Sequence, residues 1–81
     1  MTIEVRYWSW FRDITRAEGE TIEMPDTATV GDVLDAVHHR HPRLAEARRS
    51  TLVAVGLDYQ PLTHPLQPGD QVSLFPPVQG G

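Results

Sequence analysis

The chemically suggestive part of the chain is its last seven residues, Phe-Pro-Pro-Val-Gln-Gly-Gly, which run from Phe75 to Gly81. Pro76 and Pro77 each fix φ and remove a backbone donor, so the segment is predicted to be extended rather than helical. Gly80 and Gly81 have no side chains, so their backbone fits a channel too narrow for any other residue. The reactive group is therefore predicted to be the main-chain carboxylate of Gly81.

The composition of the chain narrows the classes of function. At 81 residues it is one domain, just above the size at which a single hydrophobic core is stable without disulfides or a structural metal. The absence of cysteine excludes disulfides, thiolate metal sites and a cysteine nucleophile. The net charge of −4 argues against nucleic-acid binding, which needs a basic face. The N-terminus is charged and alternating and is not a signal peptide, so we expect a cytoplasmic protein.

All seven basic residues are arginine, and the chain contains no lysine. An activated C-terminus could therefore not form an isopeptide bond with a lysine of its own chain or of another copy.

The elements that must position the tail begin with a predicted first strand. Apolar residues alternate with polar or aromatic ones from Ile3 to Arg12, which is typical of a strand with Phe11 on its core face. Trp8 and Trp10 then fall on the opposite face, with Arg12 beyond them. Either neighbouring side chains cover the tryptophans, or they form an aromatic patch for a protein partner, in which Trp and Arg are enriched; we favour the patch.

A polar turn over residues 16–20 and a short second strand over 21–24 complete a predicted hairpin. A helix is then predicted to begin at an N-cap Thr29, with Asp32 in the capping-box position. Its apolar stripe repeats at helical spacing, and Pro42 ends it at or before His41. The stripe consists of Val30, Val33, Leu34 and Val37.

The second half of the chain reads mainly as strands. Residues 44–49 form either a further helical turn or an irregular crossing, and 51–55 are a compact apolar third strand. Residues 56–60 turn the chain, and 60–63 are predicted as a short edge strand because Pro61 is excluded from a sheet centre. Pro68 and Gly69 occupy the central positions of a type II turn, after which residues 71–75 form the last strand.

Outside the tail, the sequence gives only weak signs of metal-binding or catalytic side chains. His38, His39 and His41 invite a metal site, but no carboxylate or cysteine in that run completes a usual ligand set, and we interpret them as a solvated helix end. No pair of carboxylates or histidines has a recognisable catalytic spacing, so the chain is not predicted to be an enzyme by itself.

The element order predicts an α+β domain, ββαββ, with one helix across one face of a mixed sheet. Residues 1–75 would form the globular domain and 76–81 an extended tail. If the first and last strands are parallel neighbours at the sheet centre, their C-terminal ends coincide. Trp10, Arg12 and Phe75 would then surround the point where the tail departs.

The chain resembles the MoaD family, the small subunits of molybdopterin synthase within the MoaD/ThiS group of ubiquitin-like sulfur carriers. The most specific shared motif is Phe75-Pro76-Pro77-Val78-Gln79-Gly80-Gly81, and the likeness extends over the whole chain, including Phe11-Arg12-Asp13 and the helix begun at Thr29. The resemblance implies the β-grasp fold. Trp8, Ser9 and Trp10 depart from the family pattern, as does the turn from Gly56 to Tyr59.

The resemblance also implies a chemistry. An E1-like adenylating enzyme of the MoeB type activates the Gly81 carboxylate with ATP, and a sulfur donor converts it to a thiocarboxylate. The tail then enters the large synthase subunit, of the MoaE type, where sulfur passes to cyclic pyranopterin monophosphate and forms the molybdopterin dithiolene. No cofactor is expected on the carrier, and neither nucleic acid nor membrane is expected as a partner. The residues predicted to bind partners are those around the base of the tail, Trp8, Trp10, Arg12 and Phe75, together with Pro76, Pro77, Val78 and Gln79 of the tail itself.

Two alternatives remain open. The same tail chemistry serves carriers of other pathways, such as thiamine synthesis or delivery through a thiolated amino acid. The second alternative is a β-grasp interaction module in which the terminal Gly-Gly has no chemical role.

Overall fold

A computed structural model describes residues 1–77 of the chain. Five strands and two α-helices occur in the order β1 α1 β2 α2 β3 β4 β5, with a 3₁₀ segment between α2 and β3. Their bounds are β1 Thr2–Tyr7, α1 Trp10–Thr15, β2 Gly19–Glu23, α2 Val30–Arg40, the 3₁₀ segment Pro42–Ser50, β3 Leu52–Val55, β4 Asp58–Tyr59 and β5 Gln71–Phe75.

The strands form one mixed sheet in the order β2-β1-β5-β3-β4. The central pair, β1 and β5, is parallel, and the other three pairs are antiparallel. This pairing confirms the predicted neighbours at the sheet centre, and a mixed sheet packed on one main helix confirms the predicted α+β class. The parallel pair brings the C-terminal end of β1 beside the residue from which the tail continues.

The helix α2 forms as predicted. Thr29 accepts a hydrogen bond from the backbone N–H of Asp32, whose carboxylate accepts one from the backbone N–H of Thr29, which completes the capping box. The predicted stripe is fully buried in one hydrophobic cluster with residues of β1 and β5, because one apolar face of a helix needs one covering sheet. The core residues of the sheet include Ile3, Val5, Tyr7, Val72 and Leu74.

The first strand is shorter than predicted. It ends at Tyr7, because Ser9 has φ 55°, a positive value that L-residues rarely adopt and that breaks the extended chain. Residues 10–15 then form α1, so Trp10, Phe11 and Arg12 lie on a helix and the predicted strand through Arg12 is wrong. Phe11 still reaches the core from α1, which is why its alternation with Tyr7 resembled that of a longer strand.

Two further local predictions are wrong. The first hairpin has α1 in its connection, and β2 begins at Gly19, inside the predicted turn. The short edge strand is Asp58–Tyr59 instead of residues 60–63, because the β3–β4 turn tightens around Gly56, at φ 62°, and pairs Tyr59 with Ala54. The predicted turn at Pro68-Gly69 is present, with Gly69 at φ 83° and the Asp70 N–H donating to the Gln67 carbonyl.

Candidate docking site at the base of the tail

The C-terminal ends of β1 and β5 lie side by side at one end of the sheet. Tyr7 lies opposite Leu74 in the parallel register, and the Trp8 N–H donates to the Leu74 carbonyl at 3.1 Å. Because successive strand residues alternate between faces, Trp8 and Phe75 then project together on the face that α2 does not cover.

An aromatic row crosses this open face. The rings of Trp8 and Phe75 stack with centroids 5.5 Å apart and planes 16° apart. Tyr59 contacts the other side of Phe75 edge-on, with centroids 6.2 Å apart. Trp8 remains 39% exposed and Tyr59 66% exposed, so both rings present apolar surface to a partner.

Leu52 and Tyr59 are members of this surface that the sequence alone did not reveal. Leu52 lies opposite Phe75 in the β3–β5 register, and Tyr59 reaches the row because β4 pairs with β3. The residue alternation in β3, with Val53 buried and Leu52 exposed, is the signal that would have placed Leu52 here.

A cavity of about 340 Å³ lies between this row and the start of the tail. We call it the sheet-side cavity. Among residues 1–77 no charged side chain lines it, so it suits an apolar group of a partner. Its lining consists of Ser9, Trp10, Leu52, Tyr59, Phe75, Pro76 and Pro77.

A second cavity lies on the other side of the tail base, between α1 and the 3₁₀ segment. We call it the helix-side groove; its volume is about 620 Å³. Trp10 and Pro77 line both cavities, so the chain leaves the domain between an uncharged surface and a charged one. The remaining residues of the groove are Asp13, Ile14, Arg43, Glu46, Ala47 and Ser50.

The structure brings together some of the residues predicted for partner contacts. Trp10, Phe75, Pro76 and Pro77 line the sheet-side cavity, and Trp8 stacks on Phe75. Trp8 and Trp10 are each more than a third exposed, although Trp10 stands on α1 and packs edge-on against Phe11 instead of following Trp8 along a strand. Arg12 is exposed on α1 and lines neither cavity. The predicted contributions of Val78, Gln79, Gly80 and Gly81 lie outside the described residues.

A cluster of hydrogen-bonded titratable groups lies away from both cavities. Tyr7 and His41 share the Glu20 Oε2 atom, at 2.5 Å and 2.9 Å, and Arg40 pairs with Oε1 of the same carboxylate. Partial burial raises the pKa of Glu20, but these three donors outweigh it and the pKa is lowered overall. Burial and the hydrogen bond to Glu20 raise the pKa of the Tyr7 hydroxyl far above its usual value. This cluster ties β1 and β2 to the end of α2 and has a structural role.

The histidine run provides no metal centre in residues 1–77, where no three His, Cys, Asp or Glu side chains converge on one point. His41 is held by Glu20, and His38 accepts a contact from Arg48 through Nδ1 at 3.3 Å. Burial, with a smaller contribution from the Arg48 charge, lowers the pKa of His38.

Over the same residues, every helix is too short or too polar to cross a bilayer.

The sequence of the chain is similar to those of known proteins. The ThiS family model matches residues 5–81. The chain is 34% identical to the human molybdopterin synthase sulfur carrier subunit over 98% of this chain and 93% of that one. It is 32% identical to small archaeal modifier protein 3 of Haloferax volcanii, over the full length of both.

Two solved structures have the same fold. SAMP1 from Haloferax volcanii superposes with a TM-score of 0.88 at 28% identity, covering all of both chains. A complex of subunits 1 and 2 of the molybdopterin-converting factor from Helicobacter pylori contains a chain with a TM-score of 0.69 at 29% identity, again with full coverage. The chain therefore belongs to the ThiS family and has the ubiquitin-like β-grasp fold.

Proposed function

We propose that the chain is the small subunit of molybdopterin synthase and that its Gly81 carboxylate carries the sulfur. The observation that supports this most directly is the uncharged aromatic surface at the base of the tail, formed around the Trp8–Phe75 stack. Such a surface suits a partner that takes up the tail, because aromatic anchors bury large areas next to it. The relatives named as sulfur carrier subunits of molybdopterin synthase support the same assignment.

The proposed chemistry has three steps, and the chain supplies only the carboxylate. An E1-like enzyme joins the Gly81 carboxylate to the α-phosphate of ATP, and pyrophosphate leaves. A sulfur donor attacks the acyl carbon, AMP leaves, and a thiocarboxylate remains. In the large subunit the thiocarboxylate sulfur is transferred to cyclic pyranopterin monophosphate, and the carboxylate is regenerated by water. Two rounds supply the two dithiolene sulfurs.

The residue types of the tail serve these steps. Gly80 and Gly81 leave the carboxylate unshielded, so a side chain blocks neither its attack on the α-phosphorus of ATP nor the later attack of sulfur on its carbon. Pro76 is buried and Pro77 half-buried, which anchors the start of the tail against the domain. In this proposal the carrier is not an enzyme by itself, holds no cofactor, and acts in the cytoplasm.

The proposal is tested with the carrier, an E1-like enzyme, ATP and a sulfur source. Intact mass spectrometry should show exchange of one oxygen for sulfur in the wild-type chain. Deletion of Gly81 or the substitution Gly80→Val should abolish both this exchange and sulfur transfer, while thermal unfolding stays unchanged. Gly56→Asn, a substitution at a glycine far from the tail, should transfer sulfur normally. Sulfur transfer by the chain without Gly81 would refute the carrier function.

A carrier for another pathway is distinguished by its acceptor. Binding of the thiocarboxylate form to a large synthase subunit, followed by dithiolene formation, identifies molybdopterin synthesis. A thiocarboxylate that forms but reacts only with a thiamine-pathway enzyme or an amino-acid acceptor assigns the chain to another pathway.

Conjugation to other proteins is a second candidate function, favoured by the likeness to small archaeal modifier proteins. Because the chain contains no lysine, it would attach singly and would not extend on its own copies through lysine. Trypsin cuts this chain last after Arg49, so a modified lysine would carry residues 50–81 as its remnant. Mass spectrometry for that remnant, in cells that express the activating enzyme, decides the question.

A further inference from the structure

The 3₁₀ segment carries a row of charged side chains along the helix-side groove. A 3₁₀ helix has three residues per turn, so side chains three positions apart lie directly above one another. The exposure of the segment follows that period. Arg43, Glu46 and Arg49 are exposed, whereas Leu44 is buried in the core and Ala47 is half-buried against it. We call the exposed series, with its alternating sign, the charge row.

The charge row is not neutralised by other described residues of the chain. Within residues 1–77, its three members take part in no ion pair within 4.0 Å and in no side-chain hydrogen bond. Arg48, on another side of the same segment, is by contrast paired with Asp35 at 2.8 Å. The charge row is therefore able to pair with charges of another molecule.

The groove beside the charge row can accept apolar side chains. Its volume is about 620 Å³, and its lining includes half-buried Ile14 of α1, half-buried Ala47 of the 3₁₀ segment and the partly exposed ring of Trp10. Two members of the charge row also line it, and the third, Arg49, lies one turn further along the segment. The proposed function makes no use of this groove.

The spacing of the charge row matches that of side chains on an α-helix. A 3₁₀ helix rises about 2.0 Å per residue, so successive members of the row are about 6 Å apart along its axis. Side chains four positions apart on an α-helix share one face and are also about 6 Å apart, at 1.5 Å per residue. A helix with an acidic, a basic and an acidic residue at i, i+4 and i+8 therefore pairs with the whole row.

A helix also suits the walls of the groove. These walls are α1 and the 3₁₀ segment, which use their backbone groups internally. An extended segment laid between them would find no strand edge for its own backbone donors and acceptors. A helix satisfies these groups within itself.

We infer that the helix-side groove and the charge row form a docking surface for an amphipathic α-helix of a protein partner. The apolar side of that helix lies against Trp10, Ile14 and Ala47, and its acidic, basic and acidic residues pair with the charge row. Asp13, which also lines the groove, adds a second carboxylate that favours a cation on the partner helix. The inference is independent of the acceptor that receives the sulfur.

The test uses the full-length, isotope-labelled chain and a synthetic peptide as the probe. The peptide is helical, with leucines on one face and a Glu-Lys-Glu series at i, i+4 and i+8 beside them. In solution NMR, it should change the chemical shifts of α1 and the 3₁₀ segment. Changes confined to Leu52, Tyr59 and their neighbours in the sheet-side cavity would overturn the inference. An absence of changes at millimolar peptide would overturn it as well.

Two further peptides test the charge pattern and the helical conformation. A peptide with Lys-Glu-Lys in place of Glu-Lys-Glu should bind at least about 3-fold more weakly, because each exposed ion pair contributes about 1.5- to 5-fold. A Glu-Lys-Glu peptide with a central proline should lose its binding, because proline breaks the helix. Equal binding of the three peptides would refute the inference.

A charge-reversed variant of the protein completes the test. Arg43→Glu, Glu46→Arg and Arg49→Glu together should make the chain prefer the Lys-Glu-Lys peptide. Arg16→Gln removes an exposed charge of the chain outside the groove and serves as the control, with an unchanged preference. If the triple variant is folded by thermal unfolding and still prefers Glu-Lys-Glu, pairing with the charge row is refuted.

Discussion

The ring of Trp8 stacks on the ring of Phe75 with a centroid separation of 5.5 Å, although 67 positions separate the two residues in the chain. Parallel pairing of β1 and β5 creates this contact, because it aligns the ends of the two strands. The stack therefore links the first strand of the protein to the residue from which the tail begins.

Trp8 is expected to be an anchor for the large synthase subunit. Trp8→Ala should weaken binding by about 2 kcal/mol or more, roughly 30-fold in Kd, because the ring is exposed beside an uncharged cavity. Loss of the stack with Phe75 should cost only about 0.5–1.5 kcal/mol of folding stability. Isothermal titration calorimetry and thermal unfolding measure the two effects.

Leu57→Ala is the matched control for Trp8→Ala. Leu57 is a large apolar residue that is fully exposed at the β3–β4 turn and lines neither cavity at the tail base. Its removal should leave the Kd unchanged. Equal losses from the two variants would contradict a specific anchor at Trp8.

Gly19 is expected to be required for the β1–β2 pairing. A Cβ at this position would lie closer than 3.0 Å to the Val5 carbonyl oxygen and would also crowd the Arg6 side chain, which lies over the glycine. Gly19→Ala should therefore destabilise the domain by about 1–3 kcal/mol, the range for overpacking. Urea denaturation provides the measurement.

Gly56→Asn is a suitable comparison for Gly19→Ala. Gly56 has φ 62°, but a Cβ added there would meet no non-neighbouring atom of the described residues within 4 Å, and asparagine tolerates the left-handed region. The loss should be below about 1 kcal/mol, because only a small backbone preference is involved. If Gly19→Ala is as stable as Gly56→Asn, β1 and β2 can move apart to accept the added Cβ without a measurable loss of folding stability.

Glu20 is expected to make the folding stability of the domain depend on pH. Its pKa is lowered in the folded state because donors from Tyr7, His41 and Arg40 outweigh the effect of burial. A lowered carboxyl pKa contributes stability above the unfolded value of about 4.5, and this contribution is lost as the pH falls through the folded pKa. Glu20→Gln should cost about 1–3 kcal/mol at pH 7 and correspondingly less in acid.

Chemical denaturation at pH 7 and at pH 3 tests the Glu20 prediction. Glu23→Gln provides the control, because Glu23 is an exposed carboxylate on the same strand. The wild type and Glu20→Gln should converge in stability at low pH. A constant difference between them across this range would argue against ionic stabilisation by Glu20.

The cap of α2 is expected to contribute measurably to folding. Thr29→Ala removes the acceptor for the Asp32 N–H and breaks the capping box, which should cost about 1 kcal/mol. Thr27→Ala, at an exposed threonine two residues earlier without a side-chain hydrogen bond in the described part of the chain, should be neutral. Equal stabilities in urea would mean that the helix start is held by packing alone.

Local sequence signals predicted those parts of the fold that depend on neighbouring residues. The capping box at Thr29, the stripe of α2 and the Pro68-Gly69 turn all follow from residues at most a few positions apart, and all three are confirmed. The tail motif from Phe75 to Gly81 likewise identified the family, which the comparisons confirm. The first strand was predicted too long because Phe11 continues its alternation from a helix, and the positive φ at Ser9 has no strong residue signature.

What the sequence by itself determined is therefore the chemistry-bearing end of the chain, its family and the class of fold. Only the tertiary structure decided which side chains surround that end. Leu52 and Tyr59 join Trp8 and Phe75 through strand register, which depends on pairing between residues far apart in the chain. Arg12 lies outside both cavities, and Arg43 lines the same groove as Pro77, because the packing of α1 against the 3₁₀ segment is a long-range contact that no local pattern encodes.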